Sequence, residues 1–391
     1  MILQGDCLEQ LRTLPDASVQ CCVTSPPYWG LRDYGIPPSV WGGDPGHDHV
    51  FVTETLKTEV GGGNWSQGVN GRGEVQPGGV EAKREPIRSE ATRGVCACGA
   101  WSGCLGLEPT PDLFVDHIVS VFSEVRRVLK EDGTLWMNMG DCYCSGTSTG
   151  RKPTTMAGPG VPASWSNRSD PTRSPAVDGL KPKDLVGMPW RIALAMQANG
   201  WWLRSDIIWS KPNPMPESVT DRPTKSHEYI FLLTKSDRYQ YDGDAIREPV
   251  TAKPKSAGVN SRGYMDRDPQ HLSARKLPSL KGSHGTRGHD GQGMRMPEKF
   301  NHPLGRNKRS VWTIATAPYP EAHFATFPPK LIEPCILAGS RPGDTVLDPF
   351  AGSGTTLYVA KELNRKFIGI ELNPAYIALA EKRLAQEVLG L

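Results

Sequence analysis

No run of this sequence approaches the roughly 20 consecutive apolar residues that a bilayer-spanning helix needs. The opening segment MILQGDCLEQL has no basic region followed by an apolar stretch, so neither a membrane anchor nor a secretory leader is expected, and the reading is cytoplasmic. Cysteine is too sparse for a disulfide framework: nine are scattered over 391 residues, which excludes the small bridge-held scaffolds. Internal repeats are absent. Hydrophobic residues reach only 37%, against 42 Gly and 35 Pro. That balance predicts a compact core interrupted by long loops, because Gly/Pro-rich stretches bury too little apolar surface to order themselves.

A strong overall charge is also missing, the net being +3, but the charge is unevenly placed. Residues 252–309 hold 13 Lys/Arg against 4 Asp/Glu, so this stretch alone carries +9 and the remainder −6. Concentrated positive charge is what a polyphosphate partner favours. A solvated basic loop has the same composition, so charge by itself decides nothing.

What is present is an alternation of strands and helices. Met1–Gln4 reads as a strand, Cys7–Leu14 as a helix ended by Pro15-Asp16, and Val19–Thr24 as a buried strand running into the turn Ser25-Pro26-Pro27-Tyr28. From Gly42 to Gly103 no apolar period is visible, and an insertion, partly disordered, is expected. Leu113, Val115, Ile118, Val121, Phe122, Val125 and Leu129 form one helical stripe. A strand follows at Thr134–Met139, then a polar loop over about 144–180. A helix is expected near 186–199 and a strand at Trp202–Trp209. Lys211–Pro216 holds three prolines and is read as irregular, since each lacks an amide donor. Tyr229–Thr234 is a strand, and 243–312 a basic, Gly/Pro-interrupted segment. Thr345–Leu347, Thr355–Leu363, Phe367–Glu371 and Pro374–Val388 complete a βαβα unit, with Asn373 placed to cap its last helix. The pattern predicts an α/β fold, a doubly wound and mainly parallel sheet with helices on both faces and long loop insertions.

Two motifs carry chemistry. In Thr345-Val-Leu-Asp-Pro-Phe-Ala-Gly-Ser-Gly-Thr-Thr356, a strand meets a glycine turn and a helix start, and Gly352 and Gly354 let the backbone approach a ligand closely. The third glycine of a dinucleotide fingerprint is absent, Leu357 standing in its place. The next strand ends in Glu371, a carboxylate placed to accept both hydroxyls of a ribose. A nucleoside cofactor without a pyrophosphate fits, and S-adenosylmethionine is one. In the second motif, Ser25-Pro26-Pro27-Tyr28 sits at a strand's carboxyl end, where open α/β sheets bind ligands. Two prolines remove two donors and leave carbonyl acceptors, Ser25 adds a side-chain oxygen, and Tyr28 a π-face. An exocyclic base amine attacks poorly because its lone pair is delocalised into the ring. Acceptors at Ser25 and the Pro26 carbonyl would hold both amino hydrogens and localise that pair, and Tyr28 would stack on a base flipped out of the duplex.

Together these residues resemble the amino-methylating DNA methyltransferases, in the permuted group whose catalytic half precedes the cofactor half. Ser25–Tyr28 matches the family's catalytic motif, Phe350–Gly354 its methionine-binding loop, and Glu371 its ribose-binding acid. Asp6, in Gly5-Asp-Cys-Leu8, is similar to the family's adenine contact. His323–Pro328 is similar to the segment that packs against the cofactor. The resemblance implies catalytic residues Ser25, Pro26, Pro27 and Tyr28, and cofactor contacts at Asp6, Cys7, Phe324, Thr326, Asp348, Phe350, Gly352, Gly354, Thr355 and Glu371. It also implies the fold of S-adenosylmethionine-dependent methyltransferases. Residues 1–41 with 104–242 then form the catalytic half, and 313–391 the cofactor half. Residues 42–103 are an insertion, and 243–312 the target-recognition segment. Arg306, Lys308 and Arg309 are the expected DNA phosphate contacts. Ser rather than Asp at position 25 resembles members that act on N4 of cytosine, with N6 of adenine the alternative. The expected partner is double-stranded DNA, alongside a cognate restriction endonuclease. A protein-amide methyltransferase is a rival reading, though such relatives usually carry Asn at this position. So is a DNA-binding protein with a vestigial cofactor fold, which two intact motifs argue against.

One cluster stands apart. His47 and His49 near the start of the insertion, with Cys96 and Cys98 at its end, are suitable donors for tetrahedral zinc. Cys-x-Cys is tighter than the usual two to four intervening residues, however, and the pairs lie far apart in sequence. The spacing favours unliganded thiols.

Overall fold

Structure is described here for residues 1–30, 37–44, 46–60, 87–144, 180–249, 302–316 and 327–385 of a computed structural model, with backbone alone for 52–60 and 87–93. The first part of the chain forms β1 (Ile2–Gln4), α1 (Cys7–Thr13), β2 (Val19–Thr24), β3 (Ser39–Trp41), β4 (Phe51–Val60), β5 (Ile87–Cys96) and β6 (Trp101–Gly103). Then come α2 (Pro111–Val128), β7 (Leu129–Met139), α3 (Met188–Ala198), β8 (Trp202–Ser210), β9 (His227–Thr234) and β10 (Val311–Thr313). The last part holds α4 (Pro329–Gly339), β11 (Thr345–Asp348), α5 (Thr355–Glu362), β12 (Lys366–Glu371) and α6 (Pro374–Ala385).

Eight strands form one sheet in the order β1-β12-β11-β2-β7-β9-β8-β10, and in it β9 alone runs against the rest. All six residues of β2 are buried, as a central strand covered on both faces requires. Successive side chains of a strand point to opposite faces. Cys22 packs with the apolar stripes of α1, α2 and α3, whereas a Cβ on Gly339 of α4 would lie 2.8 Å from the Cys21 sulfur. The two helical layers therefore cover opposite faces. The α2 stripe is buried at Phe114, Ile118, Val121, Phe122 and Val125, and Thr110 caps the helix by accepting the Leu113 amide at 3.3 Å. Asn373 accepts the Ala375 amide at 2.9 Å, at the start of α6. No helix among the described residues is long and apolar enough to cross a membrane.

Three elements depart from the sequence expectation. Within 42–103, where no period was visible, β4, β5 and β6 form, with β3 just before them, a four-stranded antiparallel sheet in the order β3-β6-β5-β4. The signal lies in Val52, Leu56 and Val60, which share one face of a period-2 pattern, and in the β-branched content of 51–60; residues 61–86 lie outside those described. Helix α4 carries Pro334 in its interior, which hides it from a propensity reading. Finally, the basic segment expected to run to 312 ends earlier, because Trp312 is buried in β10 and pairs with Trp209 of β8.

The chain divides into two compact units: Met1–Asp242 with Arg309–Leu391, and Gly243–Lys308. In the second, Glu248 and Arg306 bridge backbone to backbone, with the Arg306 guanidinium 3.2 Å from the Glu248 carboxylate.

Candidate active site

The register of the parallel strands lines up their carboxyl ends. Gln4 of β1 pairs with Glu371 of β12, Asp348 of β11 with Gly369, Leu347 with Cys22 of β2, and Thr24 with Met137 of β7. Both motifs therefore emerge on one edge from neighbouring strands, although 324 residues separate Thr24 from Asp348.

On the β11 side, Gly352 and Gly354 have φ of +50° and +77°, the left-handed region that glycine adopts without penalty. The Glu371 carboxylate accepts the Gly352 amide at 2.9 Å and the Asn373 amide at 2.8 Å. Burial raises its pKa above the ordinary carboxylate value. A Cβ on Gly352 would meet nothing within 4 Å, and the buried Ser353 hydroxyl has no hydrogen-bond partner among the described residues. An open cradle, an orphaned hydroxyl and a half-buried carboxylate are what a polar nucleoside ligand fits. Asp6 stands beside them, its Oδ1 accepting the Leu8 and Glu9 amides as the cap of α1. Cys7 is buried, and its thiol is pushed well up by burial and by Asp6. Two expected contacts turn inward. The Thr355 hydroxyl accepts from Arg383 at 2.9 Å, and Asp348 is 1% exposed.

Asp348 accepts the Thr24 hydroxyl at 2.6 Å, the Thr356 hydroxyl at 2.6 Å and the Phe350 amide at 3.1 Å. It is a clasp between the two motif loops. Burial raises its pKa to about 6, against three hydrogen bonds that lower it. The native state thus holds this proton more tightly than the unfolded chain does. The stability it contributes is complete below pH ~4 and is lost as pH rises through ~6, roughly 3 kcal/mol in all. Asn in its place keeps an acceptor for Thr24, and Thr356 still has the Val23 carbonyl at 3.3 Å to receive its proton. Asp348→Asn is therefore expected to gain stability relative to the parent between pH 4 and 6 and to hold that gain above it. Denaturant unfolding across pH measures this; a difference that does not change with pH would show that burial does not perturb Asp348.

On the β2 side, Pro26 is buried and Ser25, Pro27 and Tyr28 are partly exposed. The Tyr28 hydroxyl lies 2.8 Å from Glu228 Oε2, to which it donates, and 3.1 Å from Asn138 Oδ1. It accepts from Ser25 Oγ at 3.3 Å. Glu228 is also ion-paired to Lys211, whose amine lies 4.3 Å from the centre of the Trp209 ring. The ring of Tyr28 packs on Gly140, where a Cβ would come within 2.6 Å. Burial first, and the Glu228 charge second, raise the phenol well above its usual pKa, so Tyr28 stays neutral. Asn138, Gly140, Lys211 and Glu228 were missed in the sequence. They come from three strand ends that only the β7-β9-β8 pairing brings together.

Phe324 and Thr326 lie outside the described residues. Arg306 and Lys308 belong to one compact unit and Arg309 to the other. His47, His49, Cys96 and Cys98 come together.

The family model described as DNA methylase, for N6/N4 methyltransferases, matches residues 19–382. The chain belongs to this N6/N4 DNA methylase family. The methylase is 38% identical over 391 residues to the Type II methyltransferase M.Cfr9I of Citrobacter freundii, covering 99% of this chain and 88% of that protein. It is 38% identical over 383 residues to M.SmaI of Serratia marcescens, covering 98% and 90%. Among solved structures, the PvuII DNA methyltransferase (cytosine-N4-specific) shares the fold of this methylase, with a TM-score of 0.52 at 16% identity and coverage of 100% of this chain and 87% of that one.

Proposed function

We propose that this methylase transfers the methyl group of S-adenosylmethionine to N4 of cytosine in duplex DNA, with the target base turned out of the helix. The observation that carries the reading is the clasp at Asp348, which holds the Ser25–Tyr28 loop beside the Phe350–Gly354 loop. Glu371 and Asp6 are assigned to the nucleoside, and Gly352 with Ser353 to the amino-acid part; the open space over Gly352 and the unpartnered Ser353 hydroxyl support this. S-adenosylmethionine, when bound, supplies a methyl group on a positively charged sulfur. Ser25 Oγ and the Pro26 carbonyl accept the two amino hydrogens, so the nitrogen lone pair is freed from the ring and aimed. Tyr28 stacks on the flipped base. Its neutral phenol, donating to Glu228, acts as a fixed aromatic wall and not as a base.

Ser at position 25 supports cytosine over adenine, and the +9 stretch at 252–309 supports a DNA partner. Arg306, Lys308 and Arg309 are assigned to phosphates. The name Type II borne by the relatives supports pairing with a restriction endonuclease. Expression in a host without DNA methylation, followed by sequencing that separates N4-methylcytosine from N6-methyladenine, tests the reading. One short motif modified at N4 of cytosine is the expected result. N6-methyladenine would overturn the base assignment, and unmodified DNA the reading as a whole.

A further inference from the structure

The insertion brings four metal-ligating side chains to one place. Register explains how. Strands β4 and β5 pair with Phe51 opposite Cys96, so the residues just before β4 lie beside the residues that end β5. His47 Nδ1 is 3.6 Å from Cys96 Sγ, and His49 Nδ1 is 3.3 Å from Cys98 Sγ. All four donor atoms lie within 4.8 Å of one another. A tetrahedral ion with Zn–S near 2.3 Å and Zn–N near 2.0–2.1 Å has S···N edges of about 3.5–3.6 Å. The His47–Cys96 separation equals such an edge and the His49–Cys98 separation is slightly shorter.

The backbone is shaped to the same end. Cys96 N donates to Ala100 O at 2.7 Å and Gly99 N to Cys96 O at 2.8 Å, closing a tight turn around Cys98. On the other side, Gly46 N donates to Asp44 Oδ1 at 2.9 Å and His47 N to Asp44 O at 3.1 Å. The two turns touch: a Cβ on Gly43, at φ +76°, would stand 2.5 Å from that of Ala100. The backbone amides of Asp44 and Ala100 face the Cys98 sulfur, and amides so placed orient and support a metal ligand. All nine cysteines are free of disulfides.

We propose that His47, His49, Cys96 and Cys98 bind one zinc ion, which fastens the open end of the β4–β5 hairpin. Two thiolates and two imidazoles select a borderline-soft ion over magnesium or calcium, which take oxygen ligands. Four protein ligands leave no position for water or substrate, so the ion is structural. The Cys-x-Cys spacing that argued against zinc in the sequence is accommodated because one cysteine ends the strand and the other sits in the turn after it. The sheet so fastened reaches the catalytic loop. Trp41 of β3 and Trp101 of β6 lie with ring centres 5.2 and 5.5 Å from that of His117. Gly30 N, two residues after Tyr28, donates to Gly106 O at 2.8 Å.

The test uses the full chain, reduced and without a histidine tag, purified from zinc-supplemented cells. Elemental analysis is expected to find about one zinc per chain. Cobalt(II) exchanged into the chelated protein should give the visible bands of a tetrahedral ion and a thiolate-to-cobalt charge-transfer band. Cys96→Ser with Cys98→Ser should lose both metal and spectrum. His47→Ala, at an exposed position, should keep the charge-transfer band and shift the visible ones. Zinc-free protein that gives no cobalt spectrum, or metal retained in the double variant, would overturn the proposal. Neither readout depends on methylation.

Discussion

Tyr28→Ala is expected to lower the single-turnover methylation rate by about 10²- to 10³-fold, with cofactor affinity changed little. Base–aromatic stacking is worth about 1–3 kcal/mol, and a misplaced reacting group costs about 100-fold per ångström. Alanine removes the stacking face and also the ring that fills the space over Gly140. Tyr28→Phe separates the two contributions. It keeps the ring and loses the hydroxyl, leaving Glu228 and Asn138 short of a partner. A loss of about 10-fold is expected for it, at the 1–3 kcal/mol of an unmet buried polar group. The order parent, Phe, Ala should hold in quench-flow measurements on duplex DNA. Parent-like rates in Tyr28→Ala would remove this residue from the reaction.

Gly354→Val should have the opposite profile, weakening S-adenosylmethionine binding by about 100-fold and lowering thermal stability as well. The left-handed conformation costs a residue with a side chain about 1–2 kcal/mol. In addition, a Cβ at 354 would stand 2.8 Å from the Ala380 Cβ and 3.2 Å from its Cα. Loop and α6 cannot both stay where they are. Overpacking of this kind costs about 1–3 kcal/mol, and about 3 kcal/mol in total is roughly two decades of affinity. Gly352→Ala is the control, since its Cβ would project into open space. There the left-handed φ of +50° still costs about 1–2 kcal/mol, so the melting temperature should fall less than in Gly354→Val, while affinity also falls because only a ligand occupies the space over that Cβ. Calorimetric titration beside thermal unfolding reads both quantities, and unchanged affinity in both variants would dissociate the loop from the cofactor.

The main sheet was legible because its signals are local. Val19–Thr24 is unbroken in its burial, the α2 stripe keeps a helical period, and glycine followed by a helix start marks the turn after β11. Both loops at the carboxyl edge could be located from such signals. Glu228, Lys211 and Asn138 could not, since nothing near them in sequence shows that β9 runs against its neighbours and delivers its first residues to the edge where β7 and β8 end. His47, His49, Cys96 and Cys98 stand out in the sequence as four residues, but their spacing gives no sign that they meet. Distance along the chain says little once a hairpin folds it back. Asp348 reads as a cofactor contact by its place in the motif; its carboxylate is taken up by Thr24 of β2, Thr356 of α5 and the Phe350 amide of its own loop.

The interleaved strand order bears on synthesis. Strand β1 has β12 as its neighbour in the sheet and is separated from β2 by β12 and β11, both made after residue 340. A nascent chain that has finished β9 holds a central sheet whose β2 edge is open and an early strand with nowhere to pair. Exposed edges of this kind invite pairing with other chains. The ribosome therefore carries a half-finished sheet through the whole basic segment, and the last two strands close it.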